Sequence, residues 1–174
     1  MAGRGWTRQW ALALFVLSAA LLGGCGKEER AAKAPGRQFN SKLAFCVYAL
    51  VEEGQPPKVV GETPSAQPLA IPSCRTWWVE PLGPRDMAAV ASELDAQGIP
   101  GLKLFPASDD SLVHVKGLKG LLCLNLSSTQ VTDAGLAHLK DLKGLKFLDL
   151  ERTRVTDAGI AELKKSLPNV MVAR

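Results

Sequence analysis

The chain has 174 residues, a formal net charge of +4 and four cysteines, which is room for one ordinary domain or a small domain beside a short repeat array. Its charge is uneven: residues 26–42 carry five Lys and Arg against two Glu, whereas residues 43–174 carry 14 against 15 Asp and Glu. A nucleic-acid reader should carry its positive charge on the folded part, and the near-neutral balance of residues 43–174 sets that class of partner aside.

The chain opens with a targeting pattern. Arg4 and Arg8 form a positive start, and Trp10 to Leu22 is a short apolar run. It is too short to span a bilayer but suits a secretory leader. Leu22-Gly23-Gly24-Cys25 follows, and it resembles the lipobox of bacterial lipoprotein precursors. The resemblance implies cleavage before Cys25, a diacylglyceryl group on its sulfur and acyl chains of the palmitate kind. The alternative is an ordinary signal peptide with a chance cysteine. Each buried methylene of an acyl chain contributes about 0.8 kcal/mol, so several chains anchor firmly. Gly26, rather than Asp, follows the cysteine. In such families that implies the outer membrane if the cell has one, and otherwise the outer face of the cytoplasmic membrane. Residues 1–24 therefore read as leader. Residues 25–42, small and charged around Pro35-Gly36, read as the lipidated cysteine and a flexible tether.

Residues 43–82 read as a small β-rich unit. Leu43, Phe45, Val47, Ala49 and Val51 alternate along one strand, and Cys46, Tyr48 and Leu50 make its other face apolar too. Gly54-Gln55-Pro56-Pro57 breaks the strand, Gly61 to Pro68 reads as loop, and a second strand is expected near Arg75 to Glu80. Cys46 and Cys74 then fall on candidate neighbouring strands of an exported unit, which makes them the natural disulfide pair. Closing that loop would contribute about 3–4 kcal/mol in the chain-entropy model. Trp77 and Trp78 should point to opposite faces, one into the core and the other onto a cap or a partner.

Residues 83–174 read as a helix followed by repeats. Pro84 opens the helix, Met87, Val90, Ala91 and Leu94 form its apolar stripe, and Gly98 and Pro100 end it. Further on, Leu118-Lys119-Gly120-Leu121-Leu122-Cys123-Leu124-Asn125-Leu126 is answered by Leu142-Lys143-Gly144-Leu145-Lys146-Phe147-Leu148-Asp149-Leu150. Val131-Thr132-Asp133-Ala134-Gly135-Leu136 is answered by Val155-Thr156-Asp157-Ala158-Gly159-Ile160 at the same offset. The resulting period of 24 lies in the range of leucine-rich repeats, and the pattern resembles bacterial leucine-rich repeats that carry Val-Thr-Asp-Ala-Gly-Leu at the helix entry. Thr132 and Thr156 stand where N-caps are wanted, with Asp133 and Asp157 in the first turn. Ser108 and Asp109 mark a worn first repeat whose strand, near Leu102 to Leu104, is displaced by about two residues. Residues 167–172 begin one last strand. The expected fold class is α/β: a short leucine-rich-repeat solenoid of parallel strands and helices behind the β-rich unit.

Few residues point to chemistry. Cys123 lies outside the leucine core of its repeat, with no base beside it to make a nucleophile. His114 and His138 are one period apart, on successive helices. With Glu162 they are too few and too spread for a metal site, and solvated helix positions are the better reading. Gly-rich nucleotide loops, paired metal-binding Cys motifs and a Ser-His-Asp set are absent in recognisable form, so the sequence implies neither a catalytic set, nor a metal, nor a cofactor. By resemblance, the repeats bind protein. Their register sends Cys123, Asn125, Ser127 and Ser128, then Phe147, Asp149, Glu151 and Arg152, to a concave face, with Gln130 and Arg154 at its rim. Phe147 and Arg152 are of types enriched in interfaces. Three readings follow: a membrane-anchored lipoprotein with a protein-binding module, a structural envelope component that self-associates, and, least favoured, an enzyme or metal protein.

Overall fold

A computed structural model of the chain describes residues 37–50, 57–71, 76–82 and 86–174. Its strands are β1 (Arg37–Phe39), β2 (Phe45–Leu50), β3 (Lys58–Thr63), β4 (Leu69–Ile71), β5 (Thr76–Pro81), β6 (Gly101–Lys103), β7 (Cys123–Asn125), β8 (Phe147–Asp149) and β9 (Met171–Ala173). The helices are α1 (Met87–Gln97), α2 (Asp109–Val115), α3 (Asp133–Leu136, continued by a 3-10 turn, Ala137–Leu139) and α4 (Asp157–Ser166). Seven strands form one mixed sheet in the order β3-β2-β5-β6-β7-β8-β9, and β1 pairs separately with β4. The fold is therefore α/β, with a sheet that is antiparallel at one end and parallel from β5 onward.

The antiparallel end is not a separate unit. β5 pairs with β2 on one side and, in parallel, with β6 on the other, through Val79 opposite Leu102. The strands expected at 43–51 and 75–80 are present as β2 and β5, and they are neighbours. Two expectations give way. β3 occupies part of the stretch read as loop, and Gly61 fits there because Leu69 of β4 packs over it; a Cβ at Gly61 would lie 2.8 Å from Leu69 Cδ2. Residues 37–39, expected within the tether, instead form a strand whose Phe39 is buried against Phe45 and Trp77. An aromatic that meets two others in the interior stabilises a strand too short to persist alone.

The parallel end repeats itself. Gly101, Cys123, Phe147 and Met171 stand side by side on successive strands, with sequence offsets of 22, 24 and 24. The first offset is the two-residue displacement expected of the worn repeat. Leu102, Leu124 and Leu148 point from these strands into the main core, where Leu112, Leu136, Leu139 and Leu163 meet them from the helices. Helix α1 starts at Asp86, whose carboxylate accepts from the Ala88 and Ala89 amides, and ends on Gly98 in the left-handed region, φ 59°. Pro84, expected to open it, lies outside the described residues.

The Val-Thr-Asp-Ala-Gly stretches do more than cap helices. Thr132 Oγ1 accepts from Ala134 N and Thr156 Oγ1 from Gly159 N, as N-caps should. Each threonine is also clamped by the aspartate of the preceding repeat. Asp109 accepts from Thr132 N at 2.8 Å and from Thr132 Oγ1 at 2.7 Å; Asp133 accepts from Thr156 at 2.7 and 2.6 Å. The glycine makes room for the clamp. A Cβ on Gly135 would stand 2.3 Å from Asp109 Oδ1, and one on Gly159 2.2 Å from Asp133 Oδ1. Thr, Asp and Gly thus form one device that ties each helix start to the next.

Candidate functional site

Strand alternation gives the sheet a second face, away from the helices. Its apolar row runs Tyr48, Trp78, Cys123, Phe147 and Met171, and these residues pack with Leu122 and Ala173. Every described member lies on or beside a strand. Gly101 stands in this row because Trp78 leaves no room for a side chain: a Cβ there would lie 2.5 Å from Trp78 Cβ. Tyr48 stacks on Trp78 with ring centroids 5.8 Å apart and planes 12° from parallel. Trp77 takes the opposite face, beneath the Arg37 guanidinium at 5.9 Å. The tryptophans do split between faces as alternation requires, but both are buried, at 6% and 1% exposure.

Two residues further along β5, β6, β7 and β8 runs a polar row. Lys103 Nζ meets Glu80 Oε2 at 2.9 Å, and Tyr48 donates to the same carboxylate oxygen at 3.3 Å. Asn125 Nδ2 donates to Asp149 Oδ2 at 3.0 Å. Asn125 Oδ1 in turn accepts from the amide and hydroxyl of Ser127, and Asp149 Oδ1 accepts from Glu151 N. Buried polar atoms are costly unless bonded, and these bonds meet that need.

The expected partner-binding residues therefore divide by depth. Phe147, Asn125 and Asp149 are 1%, 2% and 1% exposed, so they are interior groups rather than a ready surface. Glu151 is half-buried, while Arg152 and Arg154 are exposed on the turn that follows β8. Ser128, Gln130 and the 44%-exposed Phe105 continue that strip over the preceding turns. Ser128 and Arg152 hold φ of 59° and 54°, the left-handed region that glycine or asparagine enters more easily. A local clasp holds each turn: Thr129 Oγ1 donates to Leu126 O, and Thr153 Oγ1 to Leu150 O.

Burial disfavours the thiolate at both described cysteines. Burial pushes the Cys123 thiol up to about 12. Burial also raises Cys46, and raises the Tyr48 hydroxyl, which shares a hydrogen bond with the Cys46 sulfur. Neither cysteine is poised as a nucleophile, which requires the thiolate. Cys46 is a buried free thiol, so the structure holds no bridge at this position. Cys74 itself, like Cys25, lies outside the described residues. His114 is exposed on α2 and His138 half-buried in the 3-10 turn. Among the described residues no three His, Cys, Asp or Glu side chains gather as a metal site, and no helix is long and apolar enough to cross a membrane.

Sequence reading missed the inter-repeat clamp and the paired polar row. The signal for both was present in the repeat offset, which sets Asp109 against Thr132 and Asn125 against Asp149. No protein-family model and no curated protein matches the chain. Among solved structures it is similar to the Chaetomium Mex67:Mtr2 subunits, at 16% identity over 55% of this chain and 76% of that one. The TM-score is 0.44, a likeness too slight to carry an argument.

Proposed function

We propose that this chain is an exported lipoprotein, held to a membrane through lipid on Cys25, whose parallel ladder is a short leucine-rich-repeat solenoid that binds a protein partner. The supporting observation is that one period governs both the sequence and the strand pairing, Cys123 to Phe147 to Met171. Stacked units of this kind present their turns and strand faces as extended binding surfaces. The binding strip in this reading is the exposed run of turns, with Gln130, Glu151, Arg152 and Arg154, and the buried Phe147, Asn125 and Asp149 support it from beneath. Arg152 favours that assignment. It is exposed on the turn after β8 and of a type enriched in interfaces.

The test is capture from detergent-solubilised native membranes. Arg152→Glu with Arg154→Glu should leave the melting midpoint nearly unchanged, since exposed charges shift stability by about 0.5 kcal/mol or less, and should sharply weaken retention of the partner. Lys140→Glu with Lys164→Glu, on the helical side, should leave retention alone. If the helical-side pair weakens it instead, the strip is wrong. One observation favours the second reading, a self-associating envelope component: β9 is an edge strand of the sheet, and edges invite pairing. Sedimentation of the purified protein separates the two.

A further inference from the structure

The ladder gathers lysines at one edge, whereas its other edge mixes carboxylates with Arg152, Arg154 and Arg174. Where the helices begin stand Asp109, Asp110, Asp133 and Asp157. Where they end, and the strands begin, stand Lys116, Lys119, Lys140, Lys143, Lys164 and Lys165. These lysines lie at or just beyond the ends of successive helices. An open groove of about 710 Å³ brings Lys116 and Lys119 to Lys143, with Asp141 and two glycines in its wall. Lys143 Nζ donates to Lys140 O and across to Ser166 O at the end of α4, and Lys140 and Lys165 share Glu162. Favourable placement at negative helix ends accounts for part of this set, Lys164 and Lys165 above all. It does not account for Lys119, which lies beyond a helix end. Lys116 has only a 4.0 Å approach to Asp141.

A second observation gives this edge its orientation. Arg37, the first described residue, donates to Gly98 O at the end of α1, and Gln97 Nε2 donates to Asn40 O beside it. Gly98 and Asp95 in turn line a small groove with Gly120, next to Lys119. The Arg37 side chain thus reaches the lysine edge, whose carboxylates are Glu93, Asp95, Asp141 and Glu162. Arg37 follows Cys25 by twelve positions, a reach of at most about 40 Å.

We propose that this basic edge lies on an anionic lipid surface, so that lysines orient the module while the lipid on Cys25 holds it; this rests on the lipoprotein reading above. Lysines near an anionic bilayer are attracted within a Debye length of it. The opposite edge, with the Arg152 turn, then faces away from the membrane, towards a partner.

The test uses the mature protein reconstituted in neutral vesicles and in vesicles with about one-third anionic phospholipid. Amine acylation is followed residue by residue by mass spectrometry. Lys116 and Lys119 should react about threefold or more slowly on the anionic vesicles, with the difference lost at roughly 1 M salt. Lys58, on the far edge strand β3, should react equally on both. Lys116→Glu with Lys119→Glu should remove the protection of Lys164 without altering the circular dichroism spectrum. Equal rates for Lys116 and Lys119 on the two vesicles would overturn the proposal. The same spectra read Cys25: if it is unmodified, the anchoring reading fails, and the footprint repeated with protein added from solution still decides the edge.

Discussion

Strand neighbours are chosen differently at the two ends of the sheet. In the parallel ladder each strand meets the next at a near-constant sequence offset, and the Asp-to-Thr clamp recurs at the starts of α3 and α4. At the antiparallel end Phe45 pairs with both Thr63 and Pro81, across unequal spans of chain. There the register depends on single large side chains, Phe39 and Trp77 on one face and Tyr48 and Trp78 on the other. A repeated device spreads the load over several weak copies, whereas a unique aromatic concentrates it. Substitutions should separate the two regimes.

The largest effect is expected at the antiparallel end. Trp77→Ala removes a buried ring that Phe39 and Arg37 both contact, and it should cost about 3–5 kcal/mol in denaturant unfolding. A cost below about 1 kcal/mol would show that β1 and its aromatic contact do not hold that end together. Next comes the junction. Gly101→Val forces a side chain against Trp78 Cβ and Trp77 O, an overpacking that should cost about 1–3 kcal/mol. Gly117, which has open space where a Cβ would go, should accept Ala at far less cost.

The ladder was largely legible in the sequence, because its structural devices repeat. The period, the threonine caps and the two-residue slip of the first repeat can all be read from residues 100–165 without coordinates. β3 was not legible: Pro56-Pro57 and Gly61 are loop signals, and only the packing of Leu69 over Gly61 explains a strand there. Depth was not legible either. Alternation assigns Asn125, Phe147 and Asp149 to the second face, but says nothing about how deeply they lie.

Smaller effects should sharpen the contrast within the ladder. Asp109→Ala and Gly135→Ala each break the same clamp, one by removing the carboxylate and the other by displacing it. Their costs should therefore be less than additive, with a coupling of about 1 kcal/mol in a double-mutant cycle. Strict additivity would mean that the glycine is retained for another reason. Smaller still is the pH effect of the second clamp. Hydrogen bonds from the Thr156 hydroxyl and amide hold the Asp133 carboxyl below the usual carboxylate range. Its contribution is thus present above roughly pH 4 and is lost as the pH falls through the lowered value. Asp133→Asn should flatten this part of the acid limb of stability; an unchanged limb would deny the clamp its ionic character.

The membrane-anchored reading depends most on the fate of Cys25, and intact-mass and N-terminal peptide mass spectrometry of the protein purified from its native membrane tests it directly. The expected result is a mature chain that begins at Cys25 and carries a diacylglyceryl group on the sulfur, with Cys25→Ser leaving an unprocessed precursor. A mature chain that begins elsewhere, or one that begins at Cys25 with a free thiol, would contradict it.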